Sequence, residues 1–175
     1  IVDAPPMDQQ LRYQINHTSK AYNTLYNFSE QGGLLRLAEK CSGSGDCRKT
    51  AISGGTMCPS YMATRKEKDT TRARANILRQ FLTNEETNLV TEHEVKDILD
   101  LCLSCKACKS ECPSAVDIAK MKGEFLQSYY DKHGVPFRSK LIGNFSRQMS
   151  LAMLAPGIFN FIFGTTGIRR VVNSL

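Results

Sequence analysis

Apolar residues recur at helical spacing along much of this chain, and three stretches show it most clearly. Ala73, Ile77, Leu78 and Phe81 fall on one face of a segment from Thr70 to Leu82, and Asp69 stands where an N-cap belongs, so a helix is expected there. Thr91 and Glu94 have capping-box spacing, and Val95, Ile98, Leu99 and Leu101 carry the stripe of a second helix. Asp117 stands ready to cap a third, from Ile118 to Lys132, with Met121, Phe125, Leu126 and Tyr129 turned inward and Gly134 at its end. Upstream, Tyr22, Leu25, Tyr26 and Phe28 predict a short helix within residues 19–28. Gly32 and Gly33 stop it before Leu34 to Lys40 leads to Cys41. Residues 48–57, with Gly54 and Gly55, read as a loop, and Pro5-Pro6 marks residues 1–16 as an extended lead-in. Almost no stretch alternates with strand spacing, so the expected fold class is all-α, with loops between the helices carrying the cysteines.

Residues 135–175 have a different texture. Leu141, Ile142, Phe145, Met149, Leu151, Met153 and Leu154 precede Pro156, and Ile158, Phe159, Phe161, Ile162 and Phe163 follow it. The uninterrupted apolar run is shorter than the roughly 20 residues that a membrane-spanning helix needs. Gly164 and Gly167 predict two short helices in place of one long anchor. Three destinations fit their apolar faces: the rest of the domain, a partner or further domain, or a membrane surface. The pattern divides the chain into an extended linker (1–33), a cysteine-bearing domain (34–134) and apolar C-terminal helices (135–175).

The chemistry lies in seven cysteines. Cys102, Cys105, Cys108 and Cys112 form the run Cys-x2-Cys-x2-Cys-x3-Cys-Pro, in which a tight loop aims three thiolates at corners of an iron-sulfur cubane and directs the fourth toward another cluster. A structural zinc site takes its ligands as two pairs from separate segments, and a third cysteine two residues on fits it poorly. Cys41, Cys47 and Cys58-Pro59 repeat the pattern in altered form. Exchange of the Cys-Pro ligands then gives Cys58, Cys102, Cys105 and Cys108 as a complete four-thiolate [4Fe-4S] site. The other set is Cys41, Cys47 and Cys112, and Ser44 occupies the middle position. That leaves three readings: a [3Fe-4S] cluster, a [4Fe-4S] cluster completed by Ser44, Asp46 or water, or an empty site whose cysteines are small buried residues. All seven cysteines are candidate metal ligands, and the chain is expected to carry electrons. An odd cysteine count and close pairs argue against a secreted disulfide framework and for a reducing cytoplasm. The chain shows no signal-peptide pattern and opens at Ile1, which suggests a piece of a longer polypeptide. His17, His93 and His133 lack the paired spacing of a Rieske site and read as surface residues.

Net charge is +6, from 23 Lys and Arg against 17 Asp and Glu. A four-thiolate cluster is anionic and accounts for part of that excess. The densest basic stretch, Arg65, Lys66, Lys68, Arg72, Arg74 and Arg79, reads as a solvated face or a docking surface for an acidic partner domain. No nucleic-acid-binding motif accompanies it, so no nucleic-acid partner is expected. In the main cluster loop the amides of Leu103, Ser104, Lys106, Ala107 and Lys109 are expected to donate to the cluster sulfurs, with Lys106 and Lys109 favouring the reduced state.

The strings Cys41-Ser-Gly-Ser-Gly-Asp-Cys47-Arg-Lys, Gly54-Gly-Thr-Met-Cys58-Pro-Ser-Tyr-Met-Ala-Thr64 and Thr71-Arg-Ala-Arg-Ala-Asn-Ile-Leu-Arg79 resemble the iron-sulfur region of large bacterial FAD-linked oxidoreductases. So do Asp3-Ala-Pro-Pro-Met-Asp8, Leu11-Arg-Tyr13 and the run from Cys102 to Pro113, which follow in the same order. The resemblance covers about residues 1–130 and extends to D-lactate and D-2-hydroxyglutarate dehydrogenases. It implies an α-helical ferredoxin fold and a preceding flavin domain, absent here, that binds FAD and oxidises a 2-hydroxy acid. It also implies a cysteine-rich domain of the same polypeptide, and it leaves room for a peripheral membrane or quinone-linked acceptor on the inner face of the membrane. No catalytic residue carries over to this chain. The implied function is relay of single electrons from the flavin site to a downstream acceptor. The alternative is a separate iron-sulfur subunit of a dehydrogenase or heterodisulfide-reductase-like complex.

Overall fold

The computed structural model describes residues 3–7, 9, 13, 19, 21–83 and 90–173, with 169 and 171–173 described for their backbone alone. Among these residues there are helices and turns and no strand. The expected lead-in falls largely outside the described residues, as does His17. The chain divides into two compact units, residues 1–128 and 129–175.

In the first unit the helices are α1 (Leu34–Glu39), α2 (Pro59–Thr64), α3 (Thr71–Thr83), α4 (Glu92–Asp100) and α5 (Ala107–Glu111), with most of α6 (Ile118–His133). Helix α3 is the centrepiece, packing against α1 and α4. Its buried side includes Ala75, Leu78, Phe81 and Leu82, and Phe81 meets Phe125 of α6 edge-on at 5.6 Å. Leu78 and Phe81 sit where the periodicity predicts, whereas Ala73 and Ile77 are half-buried because the helix is rotated to bring Arg74 inside. Val95 and Leu99 of α4 and Met121 of α6 complete the core.

The ends of these helices follow local chemistry. The Thr91–Glu94 capping box forms in both directions. Asp117 Oδ1 accepts from the Lys120 amide at 2.9 Å, and Gly134, at φ +80°, follows the end of α6. The cap of α3 is Thr70, one residue later than predicted: its hydroxyl accepts from the Ala73 amide at 3.0 Å. Asp69 instead belongs to a 3-10 turn, where its carboxylate accepts from the Thr64 hydroxyl at 2.6 Å. Three helices escaped the periodicity, α1, α2 and α5, each too short to show a repeat.

No helix forms over residues 21–28. The segment runs across α6 instead, where both oxygens of the buried Glu124 carboxylate accept from the Leu25 and Tyr26 amides at 2.8 and 2.9 Å. Phe28 is buried beneath the Lys120 ammonium, which stands 4.3 Å from its ring centroid, while Leu25 stays exposed. A side chain supplied from far along the chain satisfies the amides that a helix would otherwise have used.

In the second unit the C-terminal residues form four short helices, not two: α7 (Phe137–Gly143), α8 (Phe145–Ala152), α9 (Pro156–Gly164) and α10 (Thr166–Asn173). Pro136 and Pro156 set two of the starts. Helices α7, α8 and α9 bury none of their residues. Among the described residues no helix is long and apolar enough to cross a membrane.

Candidate metal centre

The cysteines stand on loops that the helices aim at one another. Cys58 precedes α2 in a left-handed conformation at φ +58°, with Pro59 opening the helix behind it. Cys102 follows the end of α4, and the loop from it to Cys108 passes through Ser104 at φ +54° and Lys106 at φ +62°. Left-handed conformations at non-glycine residues cost on the order of 1 kcal/mol or more each and gather where function over-determines the backbone. All three of these positions belong to the predicted four-thiolate site.

That site is a small pocket, partly open to solvent, whose walls include Cys58, Cys102, Cys105 and Cys108 together with Thr71, Arg74 and Ile118. Cys58 and Cys108 are buried, Cys102 is half-buried and Cys105 is exposed. Two helix N-termini point at the thiols. The Thr71 amide, first in α3, donates to Cys58 Sγ at 3.0 Å, with the Thr71 hydroxyl 2.8 Å from the same sulfur. The amides of Ile118 and Ala119, first in α6, reach Cys108 Sγ. Unsatisfied first-turn amides and the positive end of the helix dipole both favour an anionic sulfur there. Without a metal, burial outweighs these donors, raising the Cys58 thiol and pushing Cys108 up to about 11.

These donors differ from the amides expected within the cluster loop. The Lys109 amide is engaged by the Lys106 carbonyl at 2.9 Å. Backbone donors carry no residue signature, and in the sequence Thr71 is one more residue of the helix expected from Thr70. The Lys122 ammonium was also missed: it bonds the carbonyls of Asp100 and Cys102 at 3.1 and 2.7 Å, fixing the entry to the loop from α6. Burial draws Lys122 below the ordinary lysine range, and the Cys102 sulfur works against that.

The second set is less tightly assembled. Cys47 is buried, which raises its thiol, and receives an amide hydrogen bond from Arg72 in the first turn of α3. The Ser42 and Ser114 hydroxyls lie 2.9 Å apart, bringing the loop after Cys41 beside the loop after Cys112. Ser44 is exposed, and its hydroxyl bonds the Asp46 carboxylate, which also pairs with Lys49 at 2.8 Å. Glu111, next to Cys112, braces the approach to Cys58 by accepting from the Thr56 amide at 2.9 Å and the Met57 amide at 3.0 Å. Gly55 makes room for this contact, since a Cβ there would lie 2.7 Å from Glu111 Oε2 at a φ of +87°.

The basic stretch is not one solvated face. Arg65, Lys66 and Lys68 are exposed, Arg72 pairs with Glu67 at 2.7 Å, and Arg74 is buried at 2% exposure.

The sequence profile of the 4Fe-4S dicluster domain matches residues 40–117. This part of the chain is a 4Fe-4S dicluster domain. All seven cysteines lie within the dicluster domain. A D-2-hydroxyglutarate dehydrogenase of Pseudomonas putida is 26% identical over 167 residues, covering 77% of this chain and 16% of that protein. Its Escherichia coli counterpart is 26% identical over 171 residues, covering 78% of this chain and 17% of that protein. The glycolate oxidase iron-sulfur subunit of Escherichia coli is 30% identical over 110 residues, covering 63% of this chain and 22% of that protein. The chain thus spans about a sixth of the length of the two dehydrogenases. No solved structure matches it.

Proposed function

We propose that this chain is the one-electron relay of a larger FAD-linked oxidoreductase acting on 2-hydroxy acids, with Cys58, Cys102, Cys105 and Cys108 as ligands of its principal [4Fe-4S] cluster. The observation that carries this reading is the pocket in which those four residues converge beneath the N-termini of α3 and α6. Among the described residues no three His, Cys, Asp or Glu side chains form a group that could hold a single metal ion. Tetrahedral zinc, with bonds of about 2.3 Å, needs such a group, whereas a cubane, whose four irons alternate with four sulfides at its corners, takes thiolates spaced more widely.

A four-thiolate cluster supplies one-electron redox chemistry. The chain holds it through the four sulfurs, keeps water from Cys58 and Cys108, and turns helix N-termini toward negative charge. Cys41, Cys47 and Cys112 hold the second cluster, of the [3Fe-4S] type, because Ser44 leaves that set one thiolate short. The flavin domain, carrying FAD, and the cysteine-rich domain are the partners. The exposed apolar side chains of α7 to α9, among them Phe145, Leu151 and Phe161, support docking on such a partner. The names of the dehydrogenase relatives support the 2-hydroxy acid substrate class. The glycolate oxidase relative favours a second reading, a separate iron-sulfur subunit with the same ligands.

Iron and sulfide analysis of anaerobically prepared protein, with EPR in both oxidation states, tests the assignment. Cys105→Ser should abolish the reduced [4Fe-4S] signal and lower thermal stability, since the cluster ties Cys58 to the second loop. A full-intensity reduced signal with unchanged stability in that variant would overturn the ligand set.

A further inference from the structure

We infer that Arg74 donates a charge-assisted hydrogen bond from Nη2 to a sulfur of the cluster held by Cys58, Cys102, Cys105 and Cys108, and that this contact raises the cluster's reduction potential. The inference rests on the proposed ligand set and adds a residue that ligates nothing. Arg74 is 2% exposed, and two of its donors are engaged: Nε with the Ile98 carbonyl at 3.1 Å and Nη1 with the Ser60 hydroxyl at 2.9 Å. Nη2 is buried and has no hydrogen-bond partner. The Asp69 carboxylate stands 3.9 Å from it, beyond hydrogen-bond range, and accepts from the Thr64 hydroxyl.

A guanidinium stays charged at any accessible pH, so burial cannot be relieved by losing a proton. Leaving one of its donors unmet in the interior carries the full desolvation penalty of a charged group. The same side chain is part of the wall of the cysteine pocket. Around that pocket Asp69 offsets one charge, while Lys122 adds a second cation beside Cys102. An anionic sulfur in the pocket supplies both the missing acceptor and the missing negative charge, and such bonds are about twice as strong as neutral ones. When a four-thiolate [4Fe-4S] cluster takes one electron its net charge becomes one unit more negative and no bond need break. A fixed cation and a hydrogen bond at its sulfur favour that form, which is the direction of a higher potential.

The test uses the whole chain, prepared anaerobically with 15N in the arginine guanidinium and then reduced. Pulsed EPR should detect a 15N hyperfine coupling on the reduced-cluster signal, and Arg74→Lys, which keeps the charge but not the guanidinium, should lose it. Arg74 is the one arginine among the described residues lining the pocket. In a redox titration Arg74→Met should move the midpoint to a more negative potential, with Arg74→Lys shifted less. A full-intensity reduced signal without nitrogen coupling in the wild type overturns the contact and leaves the ligand set standing. A wild-type midpoint in Arg74→Met overturns the effect on potential. Absence of any reduced-cluster signal from the wild type removes the ligand set and this inference together. If Arg74→Met does not assemble a cluster, the labelled wild type alone decides.

Discussion

The Glu111 carboxylate fixes the segment that enters Cys58 by binding the Thr56 amide, the Thr56 hydroxyl and the Met57 amide. The Thr56 hydroxyl and amide hold this carboxyl below its ordinary value of 4.5. A lowered folded-state value means that its stabilisation is complete above the unfolded value and is lost as pH falls through the folded one. Glu111→Ala should therefore speed iron loss to a chelator at neutral pH. Wild-type protein should show an acid step in the same assay, below pH 4.5, that Glu111→Gln lacks. An acid step of equal size in both would show that another group sets it. Glu111 and Arg74 also mark the limit of reading chemistry from residue types. The cysteine spacing was legible because ligands must be cysteines at fixed intervals. Arg74 was not, because an arginine in a basic run looks the same whether its helix turns it to water or to a pocket.

At the scale of elements, caps were legible and long-range attachments were not. Thr91 and Glu94 declare their box within four residues, and it forms. Thr91→Ala should cost about 1 kcal/mol, measured by chemical denaturation. Glu94 is held below its ordinary carboxylate range by the Thr91 amide and hydroxyl, so its share is lost only in acid. The α3 start shows a finer failure: Asp69 and Thr70 are both good caps, and what decides between them is that Asp69 is drawn to Thr64 and Arg74. The segment before Phe28 shows a larger one. Its apolar residues suggest a helix, yet its backbone is held by Glu124, nearly a hundred residues away in sequence. Glu124→Ala should leave two amides without their acceptor, at about 1–3 kcal/mol. Hydrogen exchange at Leu25 and Tyr26 should rise toward the free-chain rate. Unchanged protection there would mean that Phe28 and the Lys120 bond to the Asn27 carbonyl anchor the segment without Glu124.

For the whole molecule the open quantity is how many clusters the dicluster domain carries. With a [3Fe-4S] cluster on Cys41, Cys47 and Cys112, oxidised protein should show the EPR signal of a three-iron core and contain about seven irons per chain. Ser44→Cys supplies the missing thiolate; it should raise the count to about eight and lower that cluster's potential through the added negative charge. A wild type with about four irons, whose signals are unchanged in Cys112→Ser, would mean that the second set is empty. The unequal burial of the first set bears on how this is measured. Cys105 is exposed while Cys58 and Cys108 are buried. If the first set holds a [4Fe-4S] cluster, dioxygen diffusing in from solvent would meet the Cys105 side before the others, and the iron held there would be the one most readily stripped. What remained would again be a three-iron core, so one brief exposure to air would make the first site counterfeit the signature of the second.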